Sequence, residues 1–209
     1  SRVETVGLTR VAYGDPVRVV PTSTPQIEAS VGDGVARLVL NRPEKHNAVS
    51  VDMFSAMAEL MAVWEHDEDV RVVVVSGAGE KAFASGADLG EIDRGAGGEA
   101  AVGSRRATTL RISKPVIAMV HGYCIGGGLM VAMEADIRIA SADAVFGIPA
   151  GPLGAGYPFE AVQRLVALVG ASRASMIMFA GDRCSGGRCM MRSRMRRDRS
   201  VQPSCTRSS

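Results

Sequence analysis

The chain has 209 residues, of which 46% are hydrophobic, which is enough for one domain with a sizeable core. Only 4% are aromatic, so Val, Ala, Leu, Ile and Met side chains have to fill that core. Three of the four cysteines fall in residues 184–209, which excludes a disulfide framework in the rest of the chain. With no leader pattern at the N-terminus, this predicts a cytoplasmic protein.

The first half of the chain predicts a hairpin, a helix and a buried strand after an N-terminal extension at residues 1–26. Apolar residues flank the turn Asp33-Gly34, which predicts a β-hairpin over residues 27–40. Ser50 is a suitable N-cap for a helix whose apolar residues have helical spacing. The valine-rich run at residues 70–75 predicts a strand buried on both faces.

The second half alternates strands with helices, which indicates the α/β class. Residues 81–88 lead into a short helix, and residues 116–120 predict a buried strand before a helix over residues 126–135. The remaining predictions are strands at residues 137–140 and 144–146 and helices at residues 161–169 and 172–179.

One segment approaches the composition of a membrane span. Residues 115–133 contain no Asp, Glu, Lys or Arg, and a spanning helix needs about 20 apolar residues. Pro115 and the glycine triplet at residues 126–128 interrupt the segment. A buried strand, a glycine turn and a buried helix are therefore predicted, without a membrane partner.

Five motifs follow one another in a fixed order along the chain. They are NRPEKHNA at residues 41–48, KAFASGADL at 81–89, HGYCIGGG at 121–128, DIRIA at 136–140 and FGIP at 146–149. Each motif alone is weak evidence, because a glycine triplet is more often a tight turn than a binding site. Together they resemble the crotonase (enoyl-CoA hydratase/isomerase) family over residues 27–183. The resemblance implies a crotonase-type α/β spiral of β-β-α repeats, with the C-terminal helical region missing or altered.

The resemblance also implies a substrate and a site. The substrate is an acyl-CoA thioester, with coenzyme A as part of it and with no separate cofactor or metal. The backbone N–H groups of Ala87 and Gly127 would form an oxyanion hole. Helix N-termini, which have unpaired N–H groups, suit this role. The alternative is that these motifs only pack tightly. The residues implied to contact substrate or CoA are Lys45, Ala48, Ala84, Gly86, Asp88, Leu89, Gly90, Gly126, Pro149 and Leu153.

Two of these assignments have a structural alternative. Lys45 would meet a phosphate of CoA, or it is a solvated surface lysine. Asp88, and Asp136 outside this set, are expected to be structural rather than catalytic.

The sequence departs from the family at the positions of its two catalytic glutamates. Enoyl-CoA hydratases of the family use one glutamate to activate water and one to handle the proton at Cα. By the resemblance, those positions hold Met130 and Ala150, which cannot move a proton. Glu134 lies one helical turn beyond Met130 and is a candidate base, with a buried structural acid as the alternative. The loop acids Glu91, Asp93 and Glu99 are further candidate bases. The hydroxyl of Tyr157 could donate to a substrate group, with packing as the favoured alternative.

Residues 184–209 differ in character from the rest of the chain. They contain seven arginines and one acid but no Leu, Ile, Ala, Glu or Lys, so they cannot form an amphipathic helix. We expect a disordered segment or a frameshift, which translation of the other two frames downstream of codon 183 would test. A basic segment for nucleic acid is the alternative; without aromatics or a binding motif, no nucleic-acid partner is predicted.

Three functions are compatible with these residues. The first is an enoyl-CoA hydratase/isomerase family enzyme of fatty-acid or related acyl-CoA metabolism. The second is a decarboxylase or thioester hydrolase that uses the same oxyanion hole. The third is a non-catalytic acyl-CoA binder. The family also implies a homotrimer or hexamer, weakened here by the altered segment at residues 184–209.

Overall fold

The computed structural model describes residues 17–88, 109–181 and 183–185. Their strands, in chain order, are β1 Arg18–Val20, β2 Ile27–Gly32, β3 Val35–Leu40, β4 Val72–Gly77, β5 Ala82–Ala84, β6 Val116–Val120, β7 Tyr123–Ile125, β8 Ile137–Ala140, β9 Val145–Gly147 and β10 Cys184–Ser185. Their α-helices are α1 Val51–Glu65, α2 Gly127–Glu134, α3 Ala150–Leu153, α4 Phe159–Val169 and α5 Ala171–Ser175. A 3-10 turn spans Pro43–Lys45, and a π-helical turn at Met176–Ala180 follows α5.

The strands form two sheets that the chain visits alternately. One sheet has the order β1-β2-β3-β4-β6-β8, antiparallel as far as β3 and parallel from there. The other has the order β10-β9-β7-β5, with β10 antiparallel and the rest parallel. The pairs β4–β5, β6–β7 and β8–β9 each place one strand in each sheet, and α2 and α3 follow the last two pairs. This confirms the predicted α/β class and the β-β-α repeat.

The hairpin and the first helix agree with their sequence signals. Asp33 and Gly34 both have positive φ, 55° and 79°, as a two-residue turn between β2 and β3 requires. The Ser50 hydroxyl accepts a hydrogen bond from the Met53 amide at 3.2 Å, so Ser50 caps α1 as predicted.

Methionine and valine do much of the packing that aromatic residues do in other cores. Met53, Met57 and Met61 on α1 are at most 1% exposed, and Trp64 on the same helix is fully buried. The unbranched methionine side chains adapt to irregular gaps between α1 and the sheet. This agrees with the composition, which left little aromatic surface for the core.

Several short elements were not predicted. Part of the N-terminal extension forms β1 on the sheet edge, residues 82–84 form β5, and β7 and α3 are additional. The short helix predicted to follow residues 81–88 lies outside the described residues. Residues 184–185, expected to be disordered, pair with β9. Strands of two or three residues are too short to show periodicity, and only their partners stabilise them.

In the described part of the chain, no helix is long and apolar enough to cross a membrane, and residues 115–133 divide among β6, β7 and α2.

Candidate active site

Two of the sequence motifs form loops that are hydrogen-bonded to each other. The first loop joins β3 to α1, and the second follows β5. The Ser85 amide donates to the His46 carbonyl at 2.9 Å, and the Val49 amide donates to the Gly86 carbonyl at 2.8 Å. The Asp88 amide in turn donates to the Val49 carbonyl at 3.0 Å. The position of the second loop is therefore fixed by the backbone of the first.

Asn47 is the side chain that connects these loops to the sheet. It is fully buried and adopts φ 55°, a left-handed conformation that Asn tolerates better than most residues. Its side-chain oxygen accepts from the Arg42 amide at 2.9 Å. Its amide nitrogen donates to the carbonyls of Ala78 and Ala82 at 2.9 and 2.8 Å. Asn47 was not among the predicted site residues, although its place in the motif at residues 41–48 could have suggested it.

Asp88 holds two basic side chains of the first loop. The Arg42 guanidinium, 7% exposed, lies 2.9 Å from a carboxylate oxygen of Asp88 and also donates to the Ala48 carbonyl at 2.9 Å. The Lys45 ammonium group, 56% exposed, lies 3.4 Å from the same carboxylate oxygen. Because a buried guanidinium needs a charge partner, these contacts support the structural alternative for Asp88. Lys45 lies at the solvent edge of the pair.

The glycine triplet forms the tight connection between β7 and α2. The Gly126 amide donates to the Gly147 carbonyl at the end of β9, and the Gly126 carbonyl accepts from Met130 in the first turn of α2. A Cβ on Gly128 would lie 2.3 Å from the carbonyl oxygen of Ala84, so a larger residue would push α2 away from β5. Close backbone packing thus sets the position of the helix N-terminus.

The two predicted oxyanion donors lie next to each other. A Cβ on Gly127 would lie 3.0 Å from the amide nitrogen of Ala87 and 3.3 Å from the carbonyl carbon of Gly86. Ala87 forms a parallel bridge with Val49 in which only its neighbours, residues 86 and 88, bond to Val49. The Ala87 N–H therefore points away from Val49, because successive residues of an extended chain direct their N–H groups to opposite sides.

Neither amide is used within the described part of the chain. No hydrogen bond there has the Ala87 or the Gly127 N–H as donor. Gly127 is the first residue of α2, where the N–H has no partner within the helix. An oxygen atom placed between two such N–H groups could accept from both, an arrangement that would stabilise a developing negative charge.

Met130 and Ala150 are both buried, with 7% and 6% exposure, and both belong to the hydrophobic core. Met130 lies in the first turn of α2, and Ala150 is the first residue of α3 after Pro149. Leu153, at the end of α3, is 62% exposed. The two positions assigned to catalytic glutamates thus have apolar side chains in apolar surroundings.

The Glu134 carboxylate is bound by a hydrogen bond and an ion pair to groups outside the glycine turn. One carboxylate oxygen accepts from the Leu110 amide at 2.7 Å, and the other lies 3.9 Å from the Arg164 guanidinium. Burial raises the pKa of Glu134, while the hydrogen bonds and the nearby arginines partly oppose this shift. These contacts fit the structural alternative given for this residue, and its role as a base stays a prediction.

The remaining predicted residues lie elsewhere or outside the described ranges. Tyr157 is half-buried against the core, with its hydroxyl beside Gly126. The Asp136 carboxylate accepts from the Val116 amide at 2.8 Å, a contact that holds β8 to β6. Residues 89 and 90 and the loop acids at 91, 93 and 99 are not among the described residues. Within the described ranges, no three His, Cys, Asp or Glu side chains are grouped as metal ligands.

Comparison with known proteins identifies relatives in the enoyl-CoA hydratase/isomerase family. A family model for enoyl-CoA hydratase/isomerase matches residues 30–188. The short-chain-enoyl-CoA hydratase of Clostridium acetobutylicum is 39% identical over 150 residues, which are 69% of this chain and 58% of that protein. The crotonyl-CoA hydratase of Syntrophomonas wolfei is 34% identical over 153 residues, which are 71% and 59% of the two chains.

Solved structures show the same relationship. An enoyl-CoA hydratase from Bacillus anthracis superposes with a TM-score of 0.70 at 31% identity, over 78% of this chain and 65% of that one. An enoyl-CoA hydratase/carnithine racemase from Magnetospirillum magneticum gives 0.72 at 28% identity, over 79% and 65%. The expected spiral fold is thereby confirmed. The chain spans 58% and 59% of the length of the two hydratases compared in sequence.

Proposed function

We propose that this chain, which belongs to the enoyl-CoA hydratase/isomerase family, binds an acyl-CoA thioester and stabilises the enolate formed from it. The thioester oxygen accepts hydrogen bonds from the backbone N–H groups of Ala87 and Gly127. Enolate formation places negative charge on that oxygen, so the two donors bind the enolate more tightly than the neutral thioester.

One observation carries this proposal. The space that a side chain on residue 127 would fill lies 3.0 Å from the Ala87 amide nitrogen, and glycine leaves that space open. A ligand oxygen can therefore approach both amides. The loops that carry them are fixed by backbone hydrogen bonds and by Asn47, so the donors do not need to reorganise when the charge develops.

The surroundings suit the two ends of an acyl-CoA. Lys45 is more than half exposed at the edge of the first loop and is the group proposed to meet a CoA phosphate. Pro149 and the exposed Leu153 provide apolar surface for the acyl chain. Ala48, Ala84, Gly86, Asp88, Leu89, Gly90 and Gly126 complete the set proposed to line the bound thioester.

The side chains at two positions favour a second candidate reaction. Hydration needs a group that activates water, and Met130 and Ala150 provide none. Loss of CO₂ from a malonyl-type thioester generates the enolate without a base, so the two backbone donors are sufficient for it. Thioester hydrolysis and binding without turnover are the other outcomes that the proposed site allows.

A substrate panel separates these reactions. The full chain is incubated with crotonyl-CoA, methylmalonyl-CoA or butyryl-CoA, and the products are identified by mass spectrometry. Binding of butyryl-CoA by calorimetry is expected in every case, and its absence would contradict the proposed function. Hydration of crotonyl-CoA at rates usual for the family would instead show that Met130 and Ala150 do not disable that reaction.

Gly127→Ala tests the donors themselves. The new methyl group would lie 3.0 Å from the Ala87 amide nitrogen and would occupy the place of the oxygen. We expect turnover of the accepted thioester to fall by about 100-fold or more, the effect of losing an oxyanion donor. Gly32→Ala is the matched control, because its methyl group would contact only Val17, a half-exposed residue next to the edge strand β1. Equal turnover by Gly127→Ala and Gly32→Ala would refute the assignment.

A further inference from the structure

Tyr157 lies beside the glycine turn that carries one of the two proposed donors. A Cβ on Gly126 would lie 3.2 Å from the Tyr157 hydroxyl oxygen and 3.7 Å from the Cα of Gly86. Gly126 precedes Gly127, and Gly86 precedes Ala87. The phenol hydroxyl is therefore beside the residue that adjoins Gly127, at a point of Gly126 that is also close to Gly86, although Tyr157 is separated from both donors by at least 30 residues in sequence.

The segment around Tyr157 has a defined conformation. The Ala155 amide donates to the Ala150 carbonyl at 3.0 Å, which closes the end of α3. Directly after the tyrosine, the Pro158 carbonyl accepts from Ala161 and Val162 at 3.1 Å and begins α4. The Tyr157 ring is half-buried and packs against the hydrophobic core. A side chain held between two helices in this way can present its hydroxyl at a fixed place.

The glycine turn is shaped to accept this hydroxyl. Gly126 has φ 53°, which disfavours a side chain, and the hydroxyl lies in van der Waals contact with the position that a side chain would take. The same glycine that allows the turn into α2 thus leaves room for the phenol.

The chemistry of a phenol limits what Tyr157 can do there. A phenol carries a proton that it can donate, and it is a poor base. Hydration of an enoyl thioester requires a base for water. An enolate that forms by loss of CO₂ requires only a proton donor at Cα. With Met130 and Ala150 apolar, the available side-chain chemistry matches the second reaction.

We propose that Tyr157 is the proton donor of this site and that its substrates are thioesters with a carboxylate on the α carbon. The bond from Cα to the carboxylate breaks, its electron pair forms the enolate, and CO₂ leaves. The enolate oxygen is held by Ala87 and Gly127. Cα then takes the Tyr157 hydroxyl proton, and the phenolate regains a proton from water. This inference rests on the proposed binding of acyl-CoA at the two donors.

Tyr157→Phe is the first test, with Tyr123→Phe as the matched control. Tyr123 on β7 is 44% exposed, and the substitution there removes a hydroxyl without a proposed role. With methylmalonyl-CoA, kcat of Tyr157→Phe is expected to fall by about 100-fold or more, the usual effect of losing a general acid. Butyryl-CoA affinity should stay unchanged, as should both kcat and butyryl-CoA affinity in Tyr123→Phe.

The outcomes separate this inference from the proposed function. Wild-type protein that binds butyryl-CoA but releases no CO₂ from methylmalonyl-CoA overturns the inference and leaves the binding function standing. An unchanged kcat in Tyr157→Phe also overturns it. Failure of the wild type to bind butyryl-CoA overturns the proposed function itself.

A second measurement does not depend on whether the variant folds. The chain has three tyrosines, so all can be replaced with fluorinated tyrosine, whose phenol is more acidic. The rate of decarboxylation should fall at high pH, where the phenol loses its proton. Fluorination should lower the pH at which this fall occurs. Incorporating fluorinated tyrosine into the Tyr123→Phe variant should lower that pH by the same amount, because Tyr157 is still replaced. A high-pH limit that does not move with fluorination would contradict a proton donated by Tyr157.

Discussion

At the scale of single residues, the candidate site depends on a buried amide side chain that takes no part in the chemistry. Asn47 satisfies one N–H and two carbonyl groups that belong to three different segments. A buried polar group left without a partner costs about 1–3 kcal/mol. Removing these hydrogen bonds therefore costs more free energy than their formation contributes. The placement of Ala87 therefore depends on a residue in another loop.

Asn47→Ala is predicted to destabilise the protein by about 3 kcal/mol or more, because two buried backbone groups and one part-buried carbonyl lose their partner together. Urea denaturation measures this change in the free energy of unfolding. Asn41→Ala is the control, since the Asn41 side chain donates to Glu28 at an exposed position and its loss should cost less than about 1 kcal/mol. Similar losses in the two variants would show that Asn47 does not organise the loops.

The sequence predicts the two proposed N–H donors better than it predicts the side chains that hold their loops in place. Ala87 and Gly127 could be proposed because they belong to short motifs that lie next to predicted elements. Asn47 and Arg42 were missed as supports, since their partners at residues 78, 82 and 88 are more than 30 positions away. Local patterns contain no information on such contacts. Tyr157 was noted only as a possible donor, because nothing local places its hydroxyl beside Gly126.

At the scale of elements, α2 is fixed at both ends by different means. Its first turn packs on Ala84 through Gly128, where even a methyl group would not fit. Its last residue, Glu134, binds the Leu110 amide and faces Arg164 on α4. The helix that presents the Gly127 N–H is therefore set by backbone contact at one end and by a buried carboxylate at the other.

Glu134 should make stability depend on pH. Burial raises its pKa above the ordinary 4.5, so the folded state favours the protonated form. Its contribution to stability is complete below pH 4.5 and is lost as pH rises through the raised pKa. Glutamine cannot ionise and retains an acceptor for the Leu110 amide. The stability of Glu134→Gln relative to wild type should therefore increase from pH 4.5 to neutral pH, as measured by urea unfolding at several pH values.

Glu65→Gln provides the control of opposite sign. The Glu65 carboxylate accepts from the Ser113 hydroxyl and amide at 2.6 and 2.8 Å, and these hydrogen bonds lower its pKa. Glu65 thus contributes stability above pH 4.5 that is lost as pH falls through the lowered pKa, so Glu65→Gln should be less stable than wild type at neutral pH. A flat difference between Glu134→Gln and wild type across this range would contradict the assigned effect of burial.

Long elements were predictable because their signals extend over several residues. The hairpin at residues 27–40 and α1 each combine periodic apolar residues with a turn or cap, and α2 is an apolar run that follows a glycine turn. β5, β7 and β10 were not predicted, because two or three residues carry no periodicity and form strands only where β9 or β7 offers a free edge. For this reason residues 81–88 were predicted only as the approach to a helix, without the strand β5 that lies within them.

At the scale of the whole molecule, the last described helices expose apolar side chains. Phe159 at the start of α4 is 72% exposed, and Phe179 in the π-helical turn is 74% exposed. Full burial of such a side chain is worth about 1.5–3 kcal/mol, so water-exposed phenylalanines favour association. The homotrimer or hexamer implied by the family would cover surface of this kind, and the altered residues 184–209 are expected to weaken it.

We therefore predict a concentration-dependent equilibrium between the 21.9 kDa chain and a larger assembly. Sedimentation equilibrium should show the larger species at high concentration and the single chain on dilution. Replacing Phe159 and Phe179 together with Ser should shift the equilibrium to the single chain, because the apolar area available for contact falls while no buried side chain changes. Val63→Ser is the control, since Val63 is 56% exposed on α1. A single species at every concentration, or an equal effect of Val63→Ser, would show that the exposed phenylalanines do not drive assembly.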